Sequence, residues 1–423
     1  STEYQMVVLD RTGPEVIGVH PLGGNKVAVE TRDLVGGLKK LVVEGANSET
    51  KEWTTTPLRT AVSVQPGDAE KLRIKVLDIA GNMTEETLPL YPYIPGGGSE
   101  DHVPNTEATV GGQDVRINLA TGNGTQKFDG LTQPGPGVDL DVFFTYNHQN
   151  RLKGPLGYGW SFNLDSRLNK WENDNITWQG FDGTLYWFKK ENDSYMTYVN
   201  GQRQYYPKMT MDPNADDPQD LNAFIMEWPD QLRYRFKNDG RFWLIQDRNS
   251  NEITFTWDRW VTYHGHDNRI QSVSDTNGHL VEFLYQANTG ELKATIISEL
   301  LGIGSTIAAE KKKFFFIYNA AGDFVGYREP SQKVIRFTYD DLKRVIKVID
   351  NGDSDPDDSG VTAEAVVTNW TYDDHNRVTR MGMTRGQDGQ EEFVGVEYGT
   401  KEAIVKNPLG EYSLKWNDAY RLI

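Results

Sequence analysis

Metal-ligating residues crowd together at three places in this sequence. His264-Gly265-His266-Asp267 sets two imidazoles two residues apart. On an extended strand both would face one side, so a metal site is geometrically possible. A polar hairpin turn accounts for the same four residues, and we favour it. Asn351-Gly352-Asp353-Ser354-Asp355-Pro356-Asp357-Asp358 offers the oxygen donors that Ca²⁺ takes, with Asp353, Asp355, Asp357 and Asp358 as weak candidate ligands. The spacing matches the start of a calcium loop, but Pro356 intrudes and no placed Glu closes it. A solvated acidic insertion is the simpler account. The stretch from Asp212 to Asp220 reads the same way, with less support.

Other chemistries find no residues to carry them. The chain has no cysteine, which removes thiol nucleophiles, disulfides, iron–sulfur clusters and cysteine-ligated zinc. It has no Gly-x-Ser-x-Gly elbow and no phosphate-cradling glycine loop. Carboxylate pairs abound, as in any acidic chain, and none can be singled out as a glycosidase pair. Exposed Trp and Tyr could stack on sugars, but packing between hairpins is the favoured use. The expectation is no enzyme and no cofactor. A net charge of -17 opposes binding to phosphate backbones and to anionic membranes, so no nucleic-acid partner is expected. No apolar run approaches the roughly 20 residues of a membrane span. Ser1-Thr2-Glu3-Tyr4 does not open a signal peptide, and Tyr420-Arg421-Leu422-Ile423 stops in mid-repeat. Both ends are expected to be cuts in a longer protein.

The elements that would position such residues read as strands throughout. Phe, Tyr and Trp make up 11% of the 423 residues, and large rings pack well across sheets. Forty-one Gly and 18 Pro supply turns. Hydrophobic content of 37% and a mean hydropathy of -0.61 suit thin β layers with much wetted surface. The expected fold class is all-β. Residues 1–92 read as a small sandwich: Leu72, Ile74 and Val76 alternate with Arg73 and Lys75, the period of a half-buried strand. Asp78-Ile79-Ala80-Gly81-Asn82 reads as a tight turn, and Asp10-Arg11-Thr12-Gly13-Pro14 as the lead into a first strand. Both phrases resemble bacterial immunoglobulin-like domains of surface proteins. Residues 93–112 read as a flexible linker, from Pro95-Gly96-Gly97-Gly98-Ser99.

Residues 113–230 form a third region. Val138, Leu140, Val142, Phe144 and Tyr146 make one apolar strand face. In Gly157-Tyr158-Gly159-Trp160, Gly157 and Gly159 predict unusual dihedrals or close packing under rings, with Trp160 buried. From 231 to 423 the sequence repeats imperfectly. An aromatic ends one strand, Asp or Asn follows it, and an apolar residue begins the next strand. Tyr318-Asn319, Tyr339-Asp340, Tyr372-Asp373 and Trp416-Asn417 are instances. Asp340 and Asp373 can bond the backbone and start a turn, while Tyr339 and Tyr372 pack on the neighbouring hairpin. One hairpin cannot bury its face alone, so stability must come from stacking on the next.

This repeat resembles the YD repeat of Rhs proteins, Tc-toxin shell components and teneurins. The preceding succession strengthens the likeness: Val115 to Gly124, Pro134-Gly135-Pro136-Gly137, Phe144-Thr145-Tyr146-Asn147 and Gly157-Tyr158-Gly159-Trp160 resemble the opening of bacterial Rhs cores. The resemblance implies a YD-repeat hairpin array forming part of a hollow β-shell. It implies a secreted or cell-surface bacterial protein whose shell encloses a C-terminal toxin or effector domain. A secretion apparatus or a cell-surface receptor would be further partners. Family shells close with a self-cleavage motif. Asn407-Pro408-Leu409-Gly410 lacks its downstream pattern, so closure, cleavage and toxicity are expected only of a longer parent. The alternative is an adhesin-like module that binds glycan or protein.

Overall fold

The computed structural model describes residues 13–21, 26–32, 37–44, 50–52, 59–63, 71–89 and 105–110. It then describes 113–423, apart from 136, 155, 165, 167, 171–175, 182–184, 193, 200–201, 212–221, 238–239, 259–268, 286–291, 300–311, 352–364, 375, 386–390 and 418–422. The fold is all-β: every regular element among the described residues is a strand, and the sheets are antiparallel, as in the long sheet from Lys208–Met211 onward. The chain divides into two compact units, the first drawing its described strands from residues 13–89 and the second from 105–423.

In the first unit, Glu15–Pro21, Lys26–Arg32 and Arg59–Ser63 pair in that order. A second sheet runs Thr50–Glu52, Leu38–Glu44, Lys71–Asp78, Met83–Pro89. Its alternation sorts the side chains. Leu41, Val43, Ile74 and Val76 are buried, while Lys75 on the other face reaches Glu44 at 2.6 Å. Asp78 closes the last hairpin, its carboxylate accepting the Asn82 N–H at 2.7 Å.

The second unit holds three large sheets, besides the short antiparallel pair Arg151–Gly154 and Gly157–Tyr158. The first runs Trp160–Phe162, Leu140–Asn147, Gly124–Gln133, Gln113–Asn118, Asn105–Val110. The next meanders through Leu168–Lys170, Ile176–Gln179, Leu185–Glu191, Ser194–Val199 and Gln202–Gln204. The third, among the described residues, has seventeen strands from Lys208–Met211 to Gly410–Lys415, each hydrogen-bonded to its neighbours in sequence. Two expected boundaries read differently here. Asn105–Val110 falls inside the expected linker of 93–112 but is an edge strand, with Val110 paired to Gln113 across Gly111-Gly112, a dipeptide that favours two-residue hairpins. The long sheet starts at Lys208–Met211, ahead of residue 231, because its first strands carry the same alternation without a Tyr-Asp phrase to mark it.

The first sheet lies against one face of the long sheet, and their rings form a shared core. Phe162 meets Phe283 at 5.2 Å, Phe144 meets Phe162 at 6.4 Å, and Tyr146 meets Trp370 at 6.2 Å. Phe283 and Trp370 sit on strands six ladder steps apart, so the first sheet covers a broad stretch of the long one.

Candidate functional site

One five-residue turn joins many strands of the long sheet. It recurs at residues 247–251, 319–323, 329–333, 340–344 and 373–377. In each, the first N–H donates to the fifth carbonyl at 2.9–3.0 Å, and the fourth N–H donates back to the first carbonyl at 2.9–3.2 Å. The fourth residue takes a left-handed φ: 67° at Ser250, 82° at Gly322, 71° at Gln332, 58° at Lys343 and 59° at Asn376. This is a type I turn with a left-handed fourth residue, a common three-residue hairpin loop. Asp or Asn at the first position supplies a further acceptor. The Asp340 carboxylate takes the Arg344 N–H at 2.9 Å and its guanidinium at 2.7 Å. Asp373 does the same for Arg377, both at 2.8 Å.

Tyr339 and Tyr372, each directly before such a turn, and Tyr398 further on, bond back to residues that follow earlier turns. Tyr372 donates its hydroxyl to the Val345 carbonyl at 2.6 Å, and Tyr398 donates to Val378 at 2.6 Å. Tyr339 donates to Phe324. Each acceptor is the first residue after one of these turns: Phe324 follows 319–323, Val345 follows 340–344 and Val378 follows 373–377. The turn's arginine then covers the ring of the next tyrosine: Arg344 lies 4.4 Å from the Tyr372 centroid and Arg377 4.4 Å from that of Tyr398. Burial pushes the hydroxyls of Tyr339, Tyr372 and Tyr398 above their ordinary range, so they remain donors.

Gly157 and Gly159 have φ of 101° and 80°, a region costly for other residues. At Gly159 a Cβ would also meet the Tyr146 ring at 2.9 Å. This backbone places Trp160 at 2% exposure, among Phe337 at 4.5 Å, Phe324 at 5.0 Å, Tyr146 at 5.2 Å and Phe128 at 5.4 Å. Its indole N–H donates to the Tyr339 hydroxyl at 2.9 Å. Nearby, the Val345 N–H donates to the Tyr146 hydroxyl at 2.8 Å. Val345 thus gives its N–H to the first sheet and accepts at its carbonyl from Tyr372.

A buried polar clasp continues this seam, and the sequence reading did not single it out. Asn147, His148, Gln149 and Asn150 are buried although all four are polar, and so are Asn118, Thr121 and Asn123. His148 Nδ1 accepts the Gly124 N–H at 2.9 Å, which leaves Nε2 as the donor to the Asn376 carbonyl at 2.9 Å. Gln149 donates to the Thr121 carbonyl at 3.0 Å, and the Val378 N–H donates to the Gly122 carbonyl at 2.9 Å. Four consecutive amide and imidazole side chains directly after an apolar strand were the available signal.

The opposite face of the first sheet borders a cavity of about 700 Å³. Phe143, Trp178, Phe181, Tyr186, Trp228 and Tyr234 supply its rings, and Arg116, Lys127 and Asp230 its charges. Trp178 is buried beneath, with Tyr186 at 5.0 Å and Trp228 at 6.0 Å. Lys127 lies 4.5 Å from the Phe143 centroid and 3.1 Å from the exposed Asp129. Burial, with Asp230 nearby, holds the Tyr234 hydroxyl well above its ordinary value.

The candidate metal ligands Asp353, Asp355, Asp357 and Asp358 lie outside the described residues, as do residues 212–220 and 264–267. Among the described residues, no group of three or more His, Asp or Glu side chains could hold a metal ion. No helix of the described residues is long and apolar enough to cross a membrane.

Comparisons with known proteins follow the same regions. No curated protein matches the chain. Among solved structures, the chain is similar to TcdB2-TccC3, at 12% identity over 84% of this chain and 24% of that one, with a TM-score of 0.27. It is also similar to TcdB2-TccC3 without its hypervariable C-terminal region, at 11% identity over 94% of this chain and 24% of that one, TM-score 0.28. A Photorhabdus luminescens Tc holotoxin pore with a mutated TccC3 matches at 12% identity over 94% and 22%, TM-score 0.27. The chain thus spans about a quarter of the length of these structures. Residues 115–188, which hold most of the first sheet, the polar side chains of the clasp and four of the six cavity rings, match the model of a family described as a domain of unknown function, DUF6531.

Proposed function

We propose that this chain is a wall segment of a secreted bacterial β-shell of the Rhs, YD-repeat kind, which in its parent protein encloses a C-terminal effector polypeptide. The observation that carries the reading is the seventeen-stranded next-neighbour sheet, whose ring-bearing face is covered by the first sheet. A meander of this kind extends by adding hairpins, and a longer one that closes on itself would have an inside. The Tyr-Asp phrases supply the repeat: the turns at 340–344 and 373–377 are each tied to a later tyrosine through its hydroxyl and through the turn's arginine. In this reading the chain is scaffold and not catalyst, and the purified protein turns over no peptide, ester or nucleic-acid substrate.

The test uses the full-length parent. Its downstream polypeptide should resist added protease in buffer and become cleavable once denaturant opens the wall. Digestion in buffer at the rate of the isolated downstream segment would remove the container reading. Saturable binding of this chain to host-cell glycans, with no such protection in the parent, would put the adhesin reading in its place.

A further inference from the structure

His148 is fully buried, and backbone groups grip both of its ring nitrogens. On the side of the first sheet, the Gly124 N–H donates to Nδ1 at 2.9 Å. On the side of the long sheet, Nε2 lies 2.9 Å from the Asn376 carbonyl. A backbone N–H only donates and a carbonyl only accepts, so this geometry admits the neutral ring with its proton on Nε2. An imidazolium carries a proton on both nitrogens. Its Nδ1–H would meet the Gly124 N–H head-on, donor against donor. The Gly124 carbonyl, 3.4 Å from Nδ1, already takes the His148 N–H at 3.2 Å. The Gly124 N–H would lose its acceptor in the protein interior, which is costly.

The surrounding charges do not favour a proton here either. Asn118, Thr121, Asn123 and Gln149, the clasp residues on the first sheet, are uncharged. Across the seam stands Tyr372, its ring 5.0 Å from that of His148. Arg344 donates to the Asn376 side chain at 2.8 Å, and Arg377 follows in the same turn as Asn376. The carboxylates on that side are Asp340, bound to Arg344 at 2.7 Å, and Asp373, bound to Arg377 at 2.7 Å. Asp374 is exposed, and His375 lies outside the described residues.

We infer that His148 is an acid-sensitive latch between the first sheet and the long sheet. Proton uptake by its ring frees the turn at 373–377, and with it the Val378 N–H bond to the Gly122 carbonyl. The rings packed around Trp160 include no histidine, so that end of the seam stays closed. The sign follows from the geometry: the closed clasp holds a neutral ring, whereas a histidine in open chain takes up a proton below about pH 6.5. The latch is therefore fully closed above about pH 6.5 and loosens as the pH falls. That window lies above the range of free carboxylates, about pH 4. The inference does not rest on the container reading.

Hydrogen exchange of this chain, read by mass spectrometry at about pH 7.5 and pH 5.5 with labelling times scaled to equal intrinsic exchange, tests it. Protection in peptides covering 122–126 and 376–378 should fall about tenfold at the lower pH. Peptides covering 334–339, next to Trp160, should change by less than about twofold. His148→Gln keeps one acceptor and one donor but does not titrate, and should abolish the fall. His375→Gln should retain it. Equal protection at both pH values in the wild-type chain, or a fall of the same size at 334–339, would overturn the inference. So would an undiminished fall in His148→Gln, or its loss in His375→Gln. Should His148→Gln fail to fold, the wild-type chain and His375→Gln decide the matter by the same criteria.

Discussion

Trp160→Ala should be among the most damaging single substitutions in this chain. The indole is 2% exposed and touches four rings, two on the first sheet and two on the long sheet. Truncating a buried Trp to Ala costs about 3–5 kcal/mol through lost burial and the cavity left behind. The indole–Tyr339 hydrogen bond adds about 1 kcal/mol. A total near 5 kcal/mol, at a urea slope of about 3 kcal/mol/M, moves the denaturation midpoint down by more than about 1 M. Trp160→Phe keeps a ring but removes the donor, and should cost about 1–3 kcal/mol. A double-mutant cycle with Tyr339→Phe isolates the hydrogen bond, and its coupling should exceed about 0.5 kcal/mol. Near-ultraviolet circular dichroism and urea melts followed by fluorescence measure both. If Trp160→Ala leaves the midpoint in place, or the cycle gives zero coupling, the seam between the two sheets is not built as described.

Tyr372→Phe should cost about 1–2 kcal/mol, because the Val345 carbonyl loses a buried donor, while Tyr205→Phe, at a residue 76% exposed, should cost almost nothing in the same urea melts. Gly122→Ala should cost at least about 2 kcal/mol, since φ is +73° and the new Cβ would sit 2.2 Å from that of Arg377; thermal melting reads the loss. Alkali should destabilise the second unit. Tyr339, Tyr372 and Tyr398 have raised folded-state values, so the unfolded chain gives up protons first. Their contribution is complete below about pH 10 and declines above it by up to about 1.4 kcal/mol per pH unit for each tyrosine. Melting midpoints that stay level between about pH 9 and pH 11 would contradict this.

The sequence disclosed what is local and hid what is not. Alternation at Leu72 to Val76 marks a strand because each residue's face is set by its immediate neighbours. The pairs Tyr339-Asp340 and Tyr372-Asp373 mark turns because a carboxylate can reach an N–H four residues on. No periodicity records that the Tyr372 hydroxyl belongs to Val345, or that Trp160 meets Tyr339 across 179 residues. The clasp was hidden for a second reason. Asn147 to Asn150 have the composition of a surface loop, and part of what satisfies His148 and Gln149 on burial is the Asn376 carbonyl, more than 200 residues away. The cavity rings come from separate strands, so nothing in linear order brings Phe143 and Trp228 together. The edge strand Asn105–Val110 was missed because glycine-rich sequence on either side hid its short alternation.

The next-neighbour order of the long sheet also bears on how a ribosome could deliver it. Every strand finds its partner in the residues just made, so the growing wall has one advancing edge at a time, and the newest strand always covers the last. The first sheet has no such luck. Its apolar face emerges early, yet Tyr339 follows Trp160 by 179 residues, roughly 10 to 40 seconds of translation. During that interval Phe128, Phe144 and Trp160 lack the rings that later cover them. The first sheet would then serve as a mandrel, synthesised before the wall and waiting for it to wrap. A nascent chain paused before residue 312 should therefore be the form that holds chaperones longest.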